Sequence, residues 1–366
     1  MKSRTSLNHS FIALAVGALL LPTLTLARPP AGKPPEFPAF IPFDASQMEL
    51  PEGVAVDKVG NVYVSVGTSI VGPMSYRSDQ LWKFSPSGVK SVLADFGPPG
   101  GGGCGLAVDA VGNVYMARNL MPYNGVFRVD QAGNIVLLPG TEQIVFPDGL
   151  AFDQEGNLYI TESWSLENPN CGPYGNGGIW RVPRGGSAAL WLRHDVLTGA
   201  CPPLLFPYPI GANGIAFYNG NLYVNNTDKA LVVRVPVRPD GSPGEPEVWK
   251  QAQDVPESVF YQSPAFALML DGIAMDVHGN VYLAVPSRAA IVRINAADLS
   301  QETVAVYPGS PVLDAPLSLT FGTGMGEREC LFVTNSGFLG FLIPGFPWPG
   351  PGLVKINVGI PGLPLP

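Results

Sequence analysis

The sequence is poor in histidine, in charge and in helical patterning, and each shortage removes a class of function. Three histidines occur in 366 residues. Four cysteines are present, but no C-x-x-C pair is formed, which argues against a zinc ribbon or a dithiol redox centre. Charged residues make up 14 %, acid exceeds base, and the formal net charge is −8, so neither nucleic acid nor an anionic membrane is expected as a partner. No G-x-S-x-G nucleophile elbow occurs. The glycines Gly100 to Gly103 lack the Gly-Lys-Ser/Thr that a phosphate loop needs. No amphipathic helix is read after residue 27, and no later apolar run reaches the roughly 20 residues of a membrane span.

What is abundant is glycine and proline, 44 and 39 residues, in a chain whose high apolar content argues against disorder. The first 27 residues read as an export signal: Lys2 and Arg4 form a basic start, Phe11 to Leu21 an apolar centre, and Thr25-Leu26-Ala27 a small-residue cleavage site. Cleavage there removes two bases and no acid, taking the charge from −8 to −10. The expectation is a secreted or periplasmic monomer, free of the membrane after cleavage. Residues 28–35 form a Pro-rich flexible leader and residues 36–366 a single domain. Export permits disulfides. Cys171 and Cys201 fall in two loops expected on one face and are the pair expected to bond. Cys104 and Cys330 read as small buried residues.

One unit recurs along that domain. In its fullest copy Asp271-Gly272-Ile273-Ala274-Met275-Asp276 is followed by Gly279-Asn280-Val281-Tyr282 and then Ile291-Val292-Arg293-Ile294. Other copies begin at Glu52-Gly53, Cys104-Gly105, Asp148-Gly149, Asn213-Gly214 and, in degenerate form, Leu317-Ser318. Gly-Asn pairs such as Gly60-Asn61 and Gly156-Asn157 supply tight hairpin turns. Period-2 patterning with Gly, Pro and Asn punctuation signals strands. Six copies of a small antiparallel sheet predict an all-β, six-bladed β-propeller with four-stranded blades. Little chain follows Ile356, so the apolar segment 36–50 is expected to supply the outer strand that closes the last blade. Residues 359–366 are expected to lie irregularly on the surface. The long loops, 67–80, 163–178, 194–212, 251–270 and 335–352, should share one face, which marks it as the binding face.

Each head residue should sit at the start of an innermost strand, beside the central channel. The ring reads Glu52, Cys104, Asp148, Asn213, Asp271, Leu317. Three carboxylates and an amide then converge from four blades without a Lys or Arg among them. Such crowding demands compensation, most simply by a bound cation. Oxygen ligands suit Ca²⁺, and the absence of a head histidine disfavours Zn²⁺. Asp57, Asp109, Asp153 and Asp276, at the far ends of the same strands, read as turn-capping groups. Trp164, Tyr174, Trp180, Tyr208 and Trp348 are candidates to line an apolar pocket. His194 sits in a binding-face loop and His278 in a turn on the opposite face.

The runs PEGVAVD…GNVYV, ANGIAF…NLYVNN, LDGIAMD…GNVYLAV and LTFGTG…CLFVTNSG resemble the senescence marker protein / gluconolactonase / luciferin-regenerating enzyme family, over about residues 45–358. The resemblance implies a six-bladed propeller with a divalent cation, Ca²⁺ or Zn²⁺, held by Glu52, Asn213 and Asp271. The family's third-blade motif is Asn-Asp-Gly; here it reads Pro147-Asp148-Gly149, with Val145-Phe146 where an Arg commonly precedes it. Proline cannot supply that amide, and Asp148 is the candidate fourth ligand. The function expected is metal-dependent hydrolysis of a small-molecule lactone or related ester, with Asp271 as first candidate for general base and Asp148 as second. The alternative is a non-catalytic exported propeller that binds a small molecule or protein around a structural cation. A third reading, a lyase of the streptogramin-inactivating kind, needs a catalytic His on the binding face, where only His194 is offered.

Overall fold

The computed structural model describes residues 39–67, 78–97, 102–165, 177–201, 209–263, 266–310, 312–324, 326–343 and 347–365. The expected signal segment and leader lie outside the described residues, as do large parts of the long loops.

Six four-stranded antiparallel sheets form the blades of a β-propeller. Blade 1 runs Pro51–Val56, Val62–Val66, Gln80–Phe84, Lys90–Asp95, from channel to rim. Blade 2 runs Gly103–Val108, Val114–Arg118, Gly125–Val129, Ile135–Leu137. Blade 3 comprises Pro147–Phe152, Leu158–Glu162, Gly178–Val182 and Ala189–Arg193. Blade 4 comprises Ala212–Tyr218, Asn221–Asn226, Leu231–Pro236 and Glu247–Gln251. Blade 5 comprises Ile273–Met275, Val281–Val285, Ala290–Ile294 and Gln301–Val306.

Blade 6 takes its inner three strands, Pro316–Phe321, Cys330–Asn335 and Gly352–Asn357, from the C-terminal part, and its outer strand, Ala39–Pro42, from the N-terminal part. The expected closure is therefore present. Ile41 pairs with Leu353. Phe43, just beyond, packs edge-on against Trp82, with ring centroids 5.0 Å apart, and stacks at 6.0 Å on Phe84. Burying such an aromatic contributes about 1.5–3 kcal/mol, and here it fastens the segment before blade 1 to blade 1 itself.

The core is distributed between blades rather than gathered at one centre. Val54, Val64, Trp82 and Phe84 of blade 1 pack on Phe332 and Leu353 of blade 6. Tyr223 and Val232 of blade 4 pack on Ile273, Leu283 and Val292 of blade 5. Each blade buries both faces, so the middle strands read as near-continuous apolar runs such as VYLAV and ALWLR is left to the half-wet rim.

A single α-helical turn, Phe338–Leu342, forms after the second strand of blade 6. Asp314 caps it, its Oδ1 accepting from Leu339 N at 3.0 Å, so a tertiary contact stabilises a turn too short for any sequence period. The C-terminal tail is not a loose surface segment. Leu363 N donates to Met275 O at 3.2 Å, Gly362 N to Arg328 O at 2.9 Å, and Gly362 bridges Asp276. Leu363, Pro364 and Leu365 line the central cavity of about 800 Å³ beside Gln154, Tyr218 and Asn219. Leu363, half-buried, packs against the core of blades 4 and 5 there, while Pro364 stays exposed.

Candidate functional site: the ring of head residues

The heads are brought inward by a shared irregularity. In five blades the pairing of first and second strands slips at the head: between Pro51 and Val54, Gly103 and Leu106, Pro147 and Leu150, Ala212 and Ile215, and Pro316 and Leu319. Such a bulge opposes two residues to one and re-aims a side chain. The glycine after the head is needed for close approach. A Cβ on Gly53 would strike the carbonyl of Cys104, and one on Gly149 the carbonyl of Asn213. In blades 1 to 5 this glycine abuts the next blade's head.

A polar residue on the second strand locks that junction. Ser65 Oγ accepts from Gly53 N at 2.7 Å and donates to Cys104 O at 2.8 Å. Thr161 accepts from Gly149 N at 2.8 Å and donates to Asn213 O. Asn225 accepts from Gly214 N at 3.0 Å and donates to Asp271 O. Thr334 accepts from Ser318 N at 3.0 Å and donates to Glu52 O. These four positioning residues are fully buried and were not singled out from the sequence. Their signal is a polar residue inside an otherwise apolar strand, as in VYVSV and LYITE.

The ring itself has few protein partners. Asp148 is 6 % exposed. Its Oδ2 lies 2.9 Å from Ser163 Oγ, which also reaches Ala212 O at 2.7 Å, while Oδ1 accepts no hydrogen bond among the described residues. Among the described residues, Glu52 has only the Cys104 thiol as a hydrogen-bonding neighbour, and the Asp271 carboxylate has none. Asn213 donates Nδ2 to Thr227 Oγ1 at 3.1 Å, which leaves its Oδ1 accepting nothing. Burial pushes the Asp148 carboxyl up to about 6. Burial, then the charge of Asp148, holds Asp271 well above the usual carboxylate range. Burial, then Asp148 and Asp271, does the same to Glu52. Glu52, Asp148 and Asp271 thus feel one another's charge, as the sequence predicts. Cys104 is buried and forms no disulfide, as expected, and its sulfur in addition joins Glu52 and Asp148, with one donor atom of each gathered within 4.8 Å of the others.

A divalent cation fits this arrangement. Among the described residues one hydroxyl and one thiol are the side-chain donors to the three carboxyls, with no protein cation among the heads, and the three resist ionising together unless positive charge arrives.

Four other carboxylates near the binding face, three buried and Asp254 half-buried, are paired with protein donors. Asp79 accepts from Arg118 at 2.8 Å. Glu162 takes Val145 N, Trp180 Nε1 and Arg193 Nη2 at 2.9–3.0 Å. Asp228 takes Ala200 N and Ile210 N, and Asp254 takes Arg288. They pin the bases of the long loops.

His194 caps a short 3₁₀ turn with Nδ1 and lies 3.6 Å from Glu245, at the rim. It directly follows the outer strand of blade 3, Ala189–Arg193. His278 N caps Asp276 at the opposite face, as expected. Trp180 is spoken for by Glu162. Trp348 stacks on Phe260 at 5.8 Å and meets Tyr307 at 4.7 Å, while Trp164 lies against Phe146. Tyr174, Tyr208 and Cys171 lie outside the described residues, and so does the expected Cys171–Cys201 bond.

No family model matches the sequence, and no curated protein matches it. Solved structures do. A candidate gluconolactonase is 17 % identical, with 92 % of this chain and 98 % of that one covered and a TM-score of 0.61. Regucalcin from Agrobacterium tumefaciens, a calcium-binding protein, is 18 % identical over 90 % and 97 % of the two chains, with a TM-score of 0.60. Luciferin-regenerating enzyme is 15 % identical over 86 % and 94 %, with a TM-score of 0.59. At these identities the likeness establishes the fold: this chain is a six-bladed propeller built like those of gluconolactonase, regucalcin and luciferin-regenerating enzyme.

Proposed function

We propose that the protein is a divalent-cation-dependent hydrolase of lactones or related esters, acting at the head ring. One observation carries the reading: the buried carboxyls of Glu52, Asp148 and Asp271 act on one another with few hydrogen-bond donors among the described residues and no basic side chain among the heads. The likeness to gluconolactonase and regucalcin in fold supports it.

A divalent cation held by these residues supplies Lewis acidity toward a substrate carbonyl. The chain's own groups do the rest. Asp271 accepts no hydrogen bond among the described residues, so one of its oxygens can take a proton from an attacking water while the other ligates. Asp148 is the second candidate, held in orientation by Ser163. The Ser163 hydroxyl can donate to Ala212 O while a protonated Asp148 donates to it, so proton storage on Asp148 costs no hydrogen bond. Below the ring the cavity walls are Leu106, Leu150, Ile215, Ile273 and Leu319, with the tail at the far end. Substrate is therefore taken to enter from the face of the long loops. The protein is read as an exported monomer that meets its small-molecule substrate outside the cytoplasm.

The test is hydrolysis of lactones and aryl esters by purified protein with EDTA, Ca²⁺ or Zn²⁺, beside Asp271→Ala. Activity that falls with EDTA, returns with metal and is absent from the variant supports the hydrolase. Pro147, standing where the amide of an Asn-Asp-Gly motif would be, favours the second reading, a binding propeller with a structural cation. That reading wins if no substrate turns over and EDTA only lowers the melting temperature.

A further inference from the structure

Cys104 distinguishes this ring from an all-oxygen site. It heads blade 2, is fully buried, and places Sγ within 4.8 Å of a carboxylate oxygen of Glu52 and of one of Asp148. Its sulfur accepts from Asn119 Nδ2 at 2.6 Å. The neighbouring Asp148, nine-tenths buried, keeps Oδ1 without a hydrogen bond. Sulfur and carboxylate lone pairs therefore meet in one small cluster.

We propose that Cys104 is a metal ligand, and that the head ring is a mixed sulfur and oxygen site for a thiophilic divalent ion of the Zn²⁺ class rather than for Ca²⁺. The proposal rests on the reading of the ring as a cation site and names the ion it selects. Ca²⁺ takes about six to eight oxygens. This ring offers three carboxylates and one amide, spends the blade 2 position on sulfur, and has Leu317 in blade 6. Zn²⁺ is satisfied by about four ligands and accepts thiolate and carboxylate together. A slight contraction of the cluster onto one ion brings Glu52, Cys104 and Asp148 into contact with it, with Asp271 or Asn213 as the fourth. Binding converts the thiol to a thiolate: the S–H bond breaks, the S–metal bond forms, and the proton leaves to solvent.

Cobalt(II) reports sulfur ligation directly, through a near-ultraviolet thiolate-to-metal charge-transfer band. The purified full chain, stripped with EDTA, is titrated with Co²⁺, and Zn²⁺ and Ca²⁺ are titrated by calorimetry in two buffers of different ionisation heat. The same is done for Cys104→Ser and Cys104→Ala, with circular dichroism to confirm folding. The expected result is the charge-transfer band in the unaltered protein, Zn²⁺ binding tighter than Ca²⁺, and proton release on Zn²⁺ binding. Cys104→Ser should lose the band and weaken Zn²⁺ at least about tenfold, with Ca²⁺ affinity unchanged. Metal binding without the band in the unaltered protein overturns the proposal and leaves the oxygen-ring reading standing. Binding of no divalent ion overturns both.

Discussion

The inner strands carry carboxylates at both ends, and the two ends are built in opposite ways. At the turn end every acceptor is used. Asp57 takes Val59 N, Asn61 N, Asn61 Nδ2 and the Tyr63 hydroxyl at 2.7–3.0 Å. Asp276 repeats this with His278, Asn280 and Tyr282, and Asp109 with Val111, Asn113 and Tyr115. At the head end Glu52, Asp148 and Asp271 share one serine and one thiol. The same residue type therefore closes a hairpin at one end and stores unspent acceptor capacity at the other. A buried carboxylate signals function only when its lone pairs have nowhere to go within the protein.

The contrast can be broken by experiment, beginning with the largest effect. Asp271→Ala should lower kcat/KM for lactone hydrolysis at least about 100-fold, whereas Asp276→Ala, assayed on its folded fraction, should leave it unchanged; equal losses would erase the distinction. In urea denaturation Asp276→Ala should cost about 2–4 kcal/mol, because it orphans two backbone N–H groups, an amide and a phenol.

The pH dependence of the cation-free protein should have the unusual sign. Asp148 rises from 3.8 to about 6 on folding, so between those values the folded state holds a proton that the unfolded state has lost. Its contribution is complete below about pH 4 and is lost as pH rises through about 6, an effect of up to about 3 kcal/mol. Glu52 and Asp271 shift the same way and extend the loss to higher pH. Added Zn²⁺ should abolish the decline; a stability that rises with pH in the EDTA-treated protein would contradict the crowded ring. Smaller still, Asp271→Asn should stabilise the cation-free protein at pH 8 by about 1 kcal/mol, by removing one of three repelling charges. His194→Ala should change neither turnover nor stability measurably, since its contacts are a turn cap and an exposed glutamate.

Much of this was legible before the fold. The motif Asp-x-x-Gly-Asn-x-Tyr, as in Asp57-Lys58-Val59-Gly60-Asn61-Val62-Tyr63, is local chemistry: turn, cap and tyrosine lie within seven residues. Repeating it announces blades. The head positions were legible as equivalent places in a repeat, because equivalence requires only alignment of the chain with itself. The seat of Cys104 beside Glu52 and Asp148 was not, since sequence separations of 52 and 44 residues say which blade a side chain belongs to and nothing of how near the heads approach. The clamps by Ser65, Thr161, Asn225 and Thr334 were hidden for the same reason: their partners are in the next blade.

Local patterning, then, determined the strands, their number and the turns, because each depends on residues close in sequence. Tertiary structure alone decided that the tail packs at the turn end of the channel, that His194 stands at the rim, and that a thiol joins the carboxylates. Those outcomes depend on distances between blades, which close packing sets to within an ångström or so and which no sequence period encodes.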